Sequence, residues 1–184
     1  MDETHGFLIA DAGRIASVLD RLARRVHATL GSELRLIGIQ RRGDPLARRL
    51  AERLSVLAGT ETEMGTLKLK RYADDLTVLN EDPQLSEAEL PFPVDGADLL
   101  VVDDVLYSGR TFLKAVGHLE AAGAGSIHLC ALCSRGENDV PMRADFVGLQ
   151  LDVGEGNVVE VHAPPYEEAW GVRLVHREDL AEEG

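Results

Sequence analysis

The sequence has few cysteines, few aromatic residues and no long apolar run, and these shortages exclude whole classes of protein. Only two of its 184 residues are cysteine, which excludes a disulfide-rich secreted scaffold. Because no stretch of about 18 uncharged apolar residues occurs, no membrane-spanning helix is expected. The first five residues lack the positive start and apolar stretch of a secretory signal. We therefore expect a cytoplasmic protein with no membrane partner.

The two cysteines, Cys130 and Cys133, form a single C-x-x-C in an apolar run. A zinc site would need a second pair of ligands, and the six histidines are scattered. A redox pair usually lies at the start of a helix, where the thiolate is stabilised, whereas this pair ends a predicted buried strand. We interpret the pair as two packed thiols.

Positive charge is scarce in the second part of the chain. Residues 1–75 carry 13 Lys and Arg against 11 Asp and Glu, while residues 76–184 carry 6 against 21. The net charge of the whole chain is −13. Such a chain repels nucleic acid unless it has a local basic face. A group of arginines could supply that face or could equally form a phosphate site and a solvated helix surface: Arg41, Arg42, Arg48, Arg49 and Arg53.

The hydrophobic spacing predicts strands that alternate with helices. One helix follows Asp11 as N-cap, and a second follows an N-cap at Asp44 with Pro45 in its first turn. The other predicted elements are strands at 34–39, 64–69, 99–102, 127–132, 157–162 and 172–176, a helix at 111–122, and a long irregular connection over 71–96. This order predicts an α/β fold with a parallel sheet, whose ligands sit where the strands end.

Residues 99–111 are the most informative segment of the chain. Four apolar residues predict a central strand, and Asp103 and Asp104 follow where that strand emerges. Ser108 and Gly109 then lead into a helix, whose N-terminus attracts phosphate. The carboxylates suit ribose hydroxyls, with a divalent cation nearby to offset their charge. Two adjacent carboxylates at a buried strand end are costly unless used, so the pattern favours a ribose 5-phosphate site over an ordinary capped helix.

This segment resembles the signature of the type I phosphoribosyltransferases, in which four apolar residues precede two acids and a Thr/Ser-Gly-x-Thr loop. The resemblance implies the type I phosphoribosyltransferase fold, with a mostly parallel central sheet, helices on both faces and a small hood region. It implies that Asp103 and Asp104 bind the ribose and Mg²⁺, the metal directly or through water. It assigns the 5-phosphate to the residues that follow: Leu106, Tyr107, Ser108, Gly109, Arg110 and Thr111.

Over about residues 36–148 the chain is also similar to the bacterial pyrimidine operon regulators, the PyrR group, which carry uracil phosphoribosyltransferase activity. Residues 38–43 and 46–53 are close to that group's pyrophosphate loop and helix, and residues 141–148 to the stretch after its base-side strand. The similarity implies that Arg41, Arg42 and Gly43 bind the departing pyrophosphate. Guanidinium groups at a strand end suit the charge that grows on such a leaving group.

The same similarity implies a mobile loop and a base-binding side. The loop would span residue 71 to about residue 84 and would include Arg71, Asp74 and Asp75. The residues beside the base would be Ser134, Arg135 and Val147. The chain departs from the group at three of these places, since Lys68 and Ala73 replace an acid and an arginine, and Ser134 replaces an aspartate.

We therefore expect a phosphoribosyltransferase that moves ribose 5-phosphate from 5-phosphoribosyl-1-pyrophosphate (PRPP) to a nucleobase, giving a nucleoside monophosphate. Uracil is the expected base, and UMP the expected product. Asp103, Asp104 and Arg42 would be its catalytic residues, and Mg²⁺ its cofactor. One domain would span residues 1–184, with a core at about 34–150 and hood strands at about 151–178, in a homo-oligomer. Two alternatives stay open: a PyrR-type RNA-binding attenuator, which the acidic charge disfavours, and a nucleotide binder that catalyses little.

Overall fold

The computed structural model describes residues 6–72, 79–136, 140–154 and 156–181. Within these ranges the first half of the chain forms β1 (Phe7–Asp11), α1 (Ala12–Leu30), β2 (Arg35–Gln40), α2 (Gly43–Ala58), β3 (Met64–Tyr72) and β4 (Leu79–Glu89). The second half forms β5 (Asp98–Leu106), α3 (Arg110–Ala121), β6 (Ser126–Ser134), β7 (Phe146–Gln150), β8 (Asn157–His162), β9 (Gly171–His176) and α4 (Arg177–Ala181).

Six strands form one sheet in the order β4-β3-β2-β5-β6-β7. All neighbours in it are parallel except β4, which runs antiparallel to β3 at the edge. The remaining strands form a separate antiparallel sheet, β1-β9-β8, called the hood sheet below. The predicted α/β fold, a mostly parallel sheet with a small hood, is confirmed.

The two faces of the large sheet have different cores because neighbouring residues of a strand point to opposite faces. Leu100 and Val102 pack with α1 and α2 in one buried cluster. Leu99 and Val101 pack with Phe112 and its neighbours on α3 in the other. A strand covered on both faces must be apolar throughout, which explains the continuous apolar run of β5. None of the described helices is long and apolar enough to cross a membrane.

The cysteine interpretation is confirmed, because Cys130 and Cys133 are both buried and free. Burial raises the pKa of each thiol to about 12. A thiol that stays protonated at neutral pH is a poor nucleophile and a poor metal ligand. The pair is therefore part of the core.

One predicted helix cap is confirmed, and three details of the predicted elements differ from the structure. The side chain of Asp11 caps α1 as predicted and accepts the Arg14 N–H at 2.8 Å. In contrast, Asp44 does not cap α2, because the helix begins earlier, at Gly43 after Arg42, with no side-chain cap. The predicted irregular connection contains β4, and Pro83 is tolerated there because β4 is an edge strand. Neither β1 nor β7 was predicted, since each is only five residues long.

Candidate active site

The carboxyl ends of β2, β5 and β6 lie side by side at one edge of the large sheet. Gly38 on β2 pairs with Val102 on β5, and Leu106 at the end of β5 pairs with Ser134 at the end of β6. The sequence predicted chemistry after each of these strands. The register brings the three strand ends together, as expected for ligand-binding parallel sheets.

Asp103 and Asp104 lie near the carboxyl end of β5 and are called the acidic strand end below; they belong to the strand, which runs on to Leu106 and so four residues past its predicted end. Asp103 is the one buried charged residue in the described part of the chain, with 6% of its surface exposed, and Asp104 is half-buried. Asp103 Oδ1 accepts the Asp104 N–H at 2.9 Å, and Asp104 Oδ1 accepts the Val105 N–H at 2.8 Å. These two bonds tie each carboxylate to the backbone N–H of the residue that follows it.

The β5–α3 loop (Tyr107, Ser108 and Gly109) leads from this strand end into α3. Gly109 is the N-cap of α3 and has φ +83°, a backbone conformation that residues other than glycine rarely adopt. A Cβ added there would lie 2.9 Å from Val140 Cγ2 and 3.0 Å from Met142 Cβ. The Ser108 hydroxyl accepts the Arg110 N–H at 3.3 Å, beside the positive end of the α3 dipole. The loop therefore combines a tight glycine turn with a helix N-terminus, the two features from which the sequence predicted a phosphate site.

The β2–α2 loop (Arg41 and Arg42) lies directly against the acidic strand end. The Gln40–Arg41 peptide bond in it is cis. A Cβ on Gly43, the first residue of α2, would lie 2.6 Å from the Val102 carbonyl oxygen and 3.0 Å from Asp103 Cα. Only glycine fits this approach of two backbones. The backbone at Gly43, which the sequence assigned to pyrophosphate together with Arg41 and Arg42, therefore lies close against Asp103.

Arg42 is held by Glu167, a residue between β8 and β9 that sequence reasoning missed. Its Nε and Nη2 donate to Glu167 Oε1 at 3.1 and 2.5 Å. Burial alone would lower the pKa of Arg42, but the hydrogen bond and charge of Glu167, with the charges of Asp104 and Glu160, raise it. Burial alone would likewise raise the pKa of Glu167, but the hydrogen bonds from Arg42 and the Ala163 N–H lower it. Both groups stay charged at neutral pH.

Two more arginines of this region stack on aromatic rings that also lie between β8 and β9. The Arg41 guanidinium lies 5.0 Å from the centre of the Tyr166 ring, and that of Arg49 lies 4.4 Å from the centre of the Trp170 ring. Such cation–π contacts are attractive and favour arginine. No sequence pattern singled out Tyr166, Glu167 or Trp170, because their partners lie more than a hundred positions earlier in the chain.

The predicted base side lies next to the β5–α3 loop. Ser134 is buried, and its carbonyl accepts the Leu151 N–H at 2.8 Å. Arg135 stacks 4.4 Å above the Tyr107 ring, and Arg177, which the sequence did not indicate, donates to the Tyr107 hydroxyl at 2.7 Å. Val147 lies one strand further out, on β7, where it pairs with Ala131. Ser134 and Arg135 thus border the loop, and Val147 is more distant from it.

Six of the fourteen residues of the predicted mobile loop, 73–78, lie outside the described residues, and the other eight belong to β3 and β4. Asp74, Asp75 and Ala73 fall in the gap at 73–78, and Arg71 belongs to β3. Lys68, which replaces an acid, pairs along the backbone with Gln40. Its ammonium lies 3.6 Å from Glu87 Oε2 on β4, so it has an acidic partner across the strand pair.

Comparisons with known proteins agree with this geometry. Residues 8–169 match the family described as phosphoribosyl transferase domain. Proteins called bifunctional protein PyrR from Thermus thermophilus and Deinococcus radiodurans are 38% and 37% identical to the chain, covering 92% and 94% of it and 96% of each relative. The relative of the same name from Elusimicrobium minutum is 34% identical, over 87% of the chain and 91% of its own length.

Among solved structures, a hypoxanthine phosphoribosyl transferase from Trypanosoma cruzi superposes with a TM-score of 0.77. It covers the whole of this chain, and 98% of its own length is matched, at 15% identity. At that identity the superposition shows the fold alone, whereas the family match and the PyrR relatives span most of the sequence. The chain is therefore a type I phosphoribosyltransferase, a member of the phosphoribosyl transferase domain family and of its PyrR group.

Proposed function

We propose that the protein transfers ribose 5-phosphate from PRPP to uracil, giving UMP and pyrophosphate. The observation that carries the proposal is the contact between Gly43 and the acidic strand end. It supports a site in which the arginines of the β2–α2 loop and the start of α3 both serve a ligand held at Asp103 and Asp104. PRPP carries a pyrophosphate on C1 and a phosphate on C5, with the ribose diol between them, so its chemistry suits such a site.

The roles follow from the chemistry of each group. Asp103 and Asp104 would accept hydrogen bonds from the ribose hydroxyls, and the β5–α3 loop would bind the 5-phosphate through residues 106–111. Arg41, Arg42 and the backbone at Gly43 would neutralise the charge on the leaving pyrophosphate. The bond from the anomeric carbon to the pyrophosphate oxygen breaks, a bond to a ring nitrogen of the base forms, and the proton of that nitrogen passes to water. The protein contributes position and charge, with no covalent intermediate.

The donor set suits Mg²⁺ that arrives with the substrate. Within the described part of the chain, no group of three His, Cys, Asp or Glu residues could hold a metal ion. Mg²⁺ is commonly held by one or two carboxylates together with substrate phosphates and water, and Asp103 and Asp104 provide such a pair. Bound there, Mg²⁺ would supply Lewis-acid stabilisation of the pyrophosphate oxygens.

Uracil is proposed from the PyrR relationship, and Ser134 and Arg135 are the residues we place nearest the base. Residues 1–184 would then act as one phosphoribosyltransferase unit, with its core at 34–150 and hood strands at 151–178. A cytoplasmic homo-oligomer remains our expectation for the assembled protein.

RNA binding has less support, because the basic face of α2 is already engaged. Arg48 lies 3.5 Å from Asp44, Arg49 stacks on Trp170, and Arg53 donates to Asp20 at 2.6 Å. A phosphate contact would have to replace these partners, on a chain with a net charge of −13.

The test is nucleotide synthesis by the purified protein with PRPP, Mg²⁺ and one base at a time: uracil, orotate, hypoxanthine, guanine or adenine. We expect UMP from uracil and a loss of about 100-fold in Asp104→Asn, the size of effect of removing one preorganised charge contact. Synthesis from another base alone would refute the uracil assignment and keep the reaction class. Calorimetric binding of PRPP without any turnover would establish the non-catalytic alternative instead.

A further inference from the structure

One segment of the hood, residues 163–170, reaches three arginines of the β2–α2 loop and α2. This hood loop stacks Tyr166 on Arg41, bonds Glu167 to Arg42 and stacks Trp170 on Arg49. We propose that Glu167 is a positioning residue for the transfer reaction, which holds the Arg42 guanidinium where the pyrophosphate leaves. This inference rests on the proposed function, because it assigns Arg42 to the leaving group.

Glu167 is itself fixed, which a positioning residue must be. Its Oε2 accepts the backbone N–H of Ala163 at 2.7 Å, while its Oε1 accepts both bonds from Arg42. Ala163 is fully buried, and only 19% of the Glu167 side chain is exposed. The carboxylate therefore has one anchor in the hood backbone and the other on the loop, and it defines the position of the guanidinium.

Arg42 keeps enough donors to serve a second partner. A guanidinium carries five N–H groups, and two of them point at Glu167 Oε1. Three N–H groups remain for phosphate oxygens, so Glu167 and pyrophosphate need not compete. An arginine already held in one rotamer loses less conformational entropy when it binds.

The charges around Arg42 agree with this role. Asp104 and Glu160 both act on its guanidinium in addition to Glu167, so without a fixed partner the cation would be drawn toward the acidic strand end. Glu167 holds it on the hood side of the loop. Arg41 stacks on an uncharged ring and keeps its positive charge uncompensated by the hood loop.

The experiment compares Glu167→Ala and Glu167→Gln with wild type, with Glu168→Gln as a matched control. Glu168 is the exposed neighbour of Glu167. Calorimetry gives the Kd for Mg-pyrophosphate and Mg-PRPP, and steady-state kinetics give KM for PRPP and for the base separately. We expect Glu167→Ala to weaken pyrophosphate binding and raise KM for PRPP by about tenfold, with KM for the base unchanged. Glu167→Gln should lie between, and Glu168→Gln should match wild type.

A second arm tests that the effect acts through Arg42. In an Arg42→Ala background, Glu167→Ala should cause no further loss of pyrophosphate affinity, because nothing is left to position. Wild-type affinity in Glu167→Ala, or an equal rise of KM for PRPP and base, would overturn the proposal. Tighter pyrophosphate binding in Glu167→Ala would also overturn it, since Glu167 would then be a competitor of the ligand.

The outcomes separate this proposal from the proposed function. If wild type binds PRPP and pyrophosphate but makes no nucleotide, the enzymatic proposal fails while the binding arms still decide the role of Glu167. If wild type binds neither ligand, both proposals are wrong. Melting temperatures of all variants verify that each is folded at the assay temperature.

Discussion

The β5–α3 loop and the β2–α2 loop both face the acidic strand end, yet they are built in opposite ways. The first is contiguous: strand, carboxylates, glycine and helix follow one another within residues 98–121. The second contains two arginines whose orientation is set by the hood loop, more than a hundred positions later in the chain. A loop can thus be shaped by local backbone geometry or by contacts with distant side chains, and only the local kind is visible in the order of residues.

The strongest test of this comparison is Gly43→Ala, which separates the β2–α2 loop from the acidic strand end. The new Cβ would meet backbone atoms of Val102 and Asp103, which cannot rotate away. We expect a loss of about 2 kcal/mol in the free energy of unfolding and a fall of about 100-fold in kcat/KM, because the reacting groups are misplaced.

Urea denaturation and the nucleotide synthesis assay measure the two effects of Gly43→Ala. Gly117→Ala is the matched control, since nothing lies within 4 Å of a Cβ at that helical position. Full activity in Gly43→Ala would show that the two regions work independently.

A smaller effect is expected from Gly109→Ala, which alters only the contiguous site. Alanine at φ +83° is strained by about 1–2 kcal/mol, and its Cβ would also press on Val140 and Met142. Because this strain falls on the β5–α3 loop, PRPP affinity measured by calorimetry should drop about tenfold. Gly117→Ala should instead stabilise α3 by about 0.5–1 kcal/mol. Unchanged PRPP affinity in Gly109→Ala would remove the 5-phosphate from this loop.

The smallest effect is expected from Glu167→Gln, which alters the contact between Glu167 and Arg42, and this effect depends on pH. The pKa of Glu167 is lowered from its ordinary value of 4.5, so its ion pair stabilises the fold above that pH and is lost as the pH falls through the lowered value. At neutral pH, Glu167→Gln should reduce the free energy of unfolding by about 1 kcal/mol, a modest figure because 37% of the Arg42 side chain is exposed to solvent. Urea titrations should show the difference from wild type shrinking as the pH falls below 4.5. A difference that persists in acid would mean that Glu167 acts through packing.

The sequence was informative where structure depends on neighbouring residues. The apolar run of β5, the two aspartates and the glycine before α3 predicted the strand, the turn and the helix that the structure contains. The start of α2 was placed wrongly, with Asp44 as its cap, whereas the helix begins at Gly43, and the close approach of Gly43 to Asp103 is a contact that no local pattern encodes. The partners of Arg41, Arg42 and Arg49 were missed for the same reason. The roles of all these residues in binding and catalysis remain predictions.

The hood sheet also carries a consequence for the order in which the molecule can assemble. Its first strand, β1, precedes the strands of the large sheet in the chain, whereas β9, the partner of β1, follows them. Phe7 of β1 pairs with Leu174 of β9. On a ribosome, β1 would leave the exit tunnel long before β9 exists, so it would have to wait unpaired while the large sheet forms. Glu167 also emerges late, so Arg42 would gain its partner only near the end of synthesis. The hood sheet, and with it the contact between Glu167 and Arg42, can therefore close only after residues 163–176 have been made.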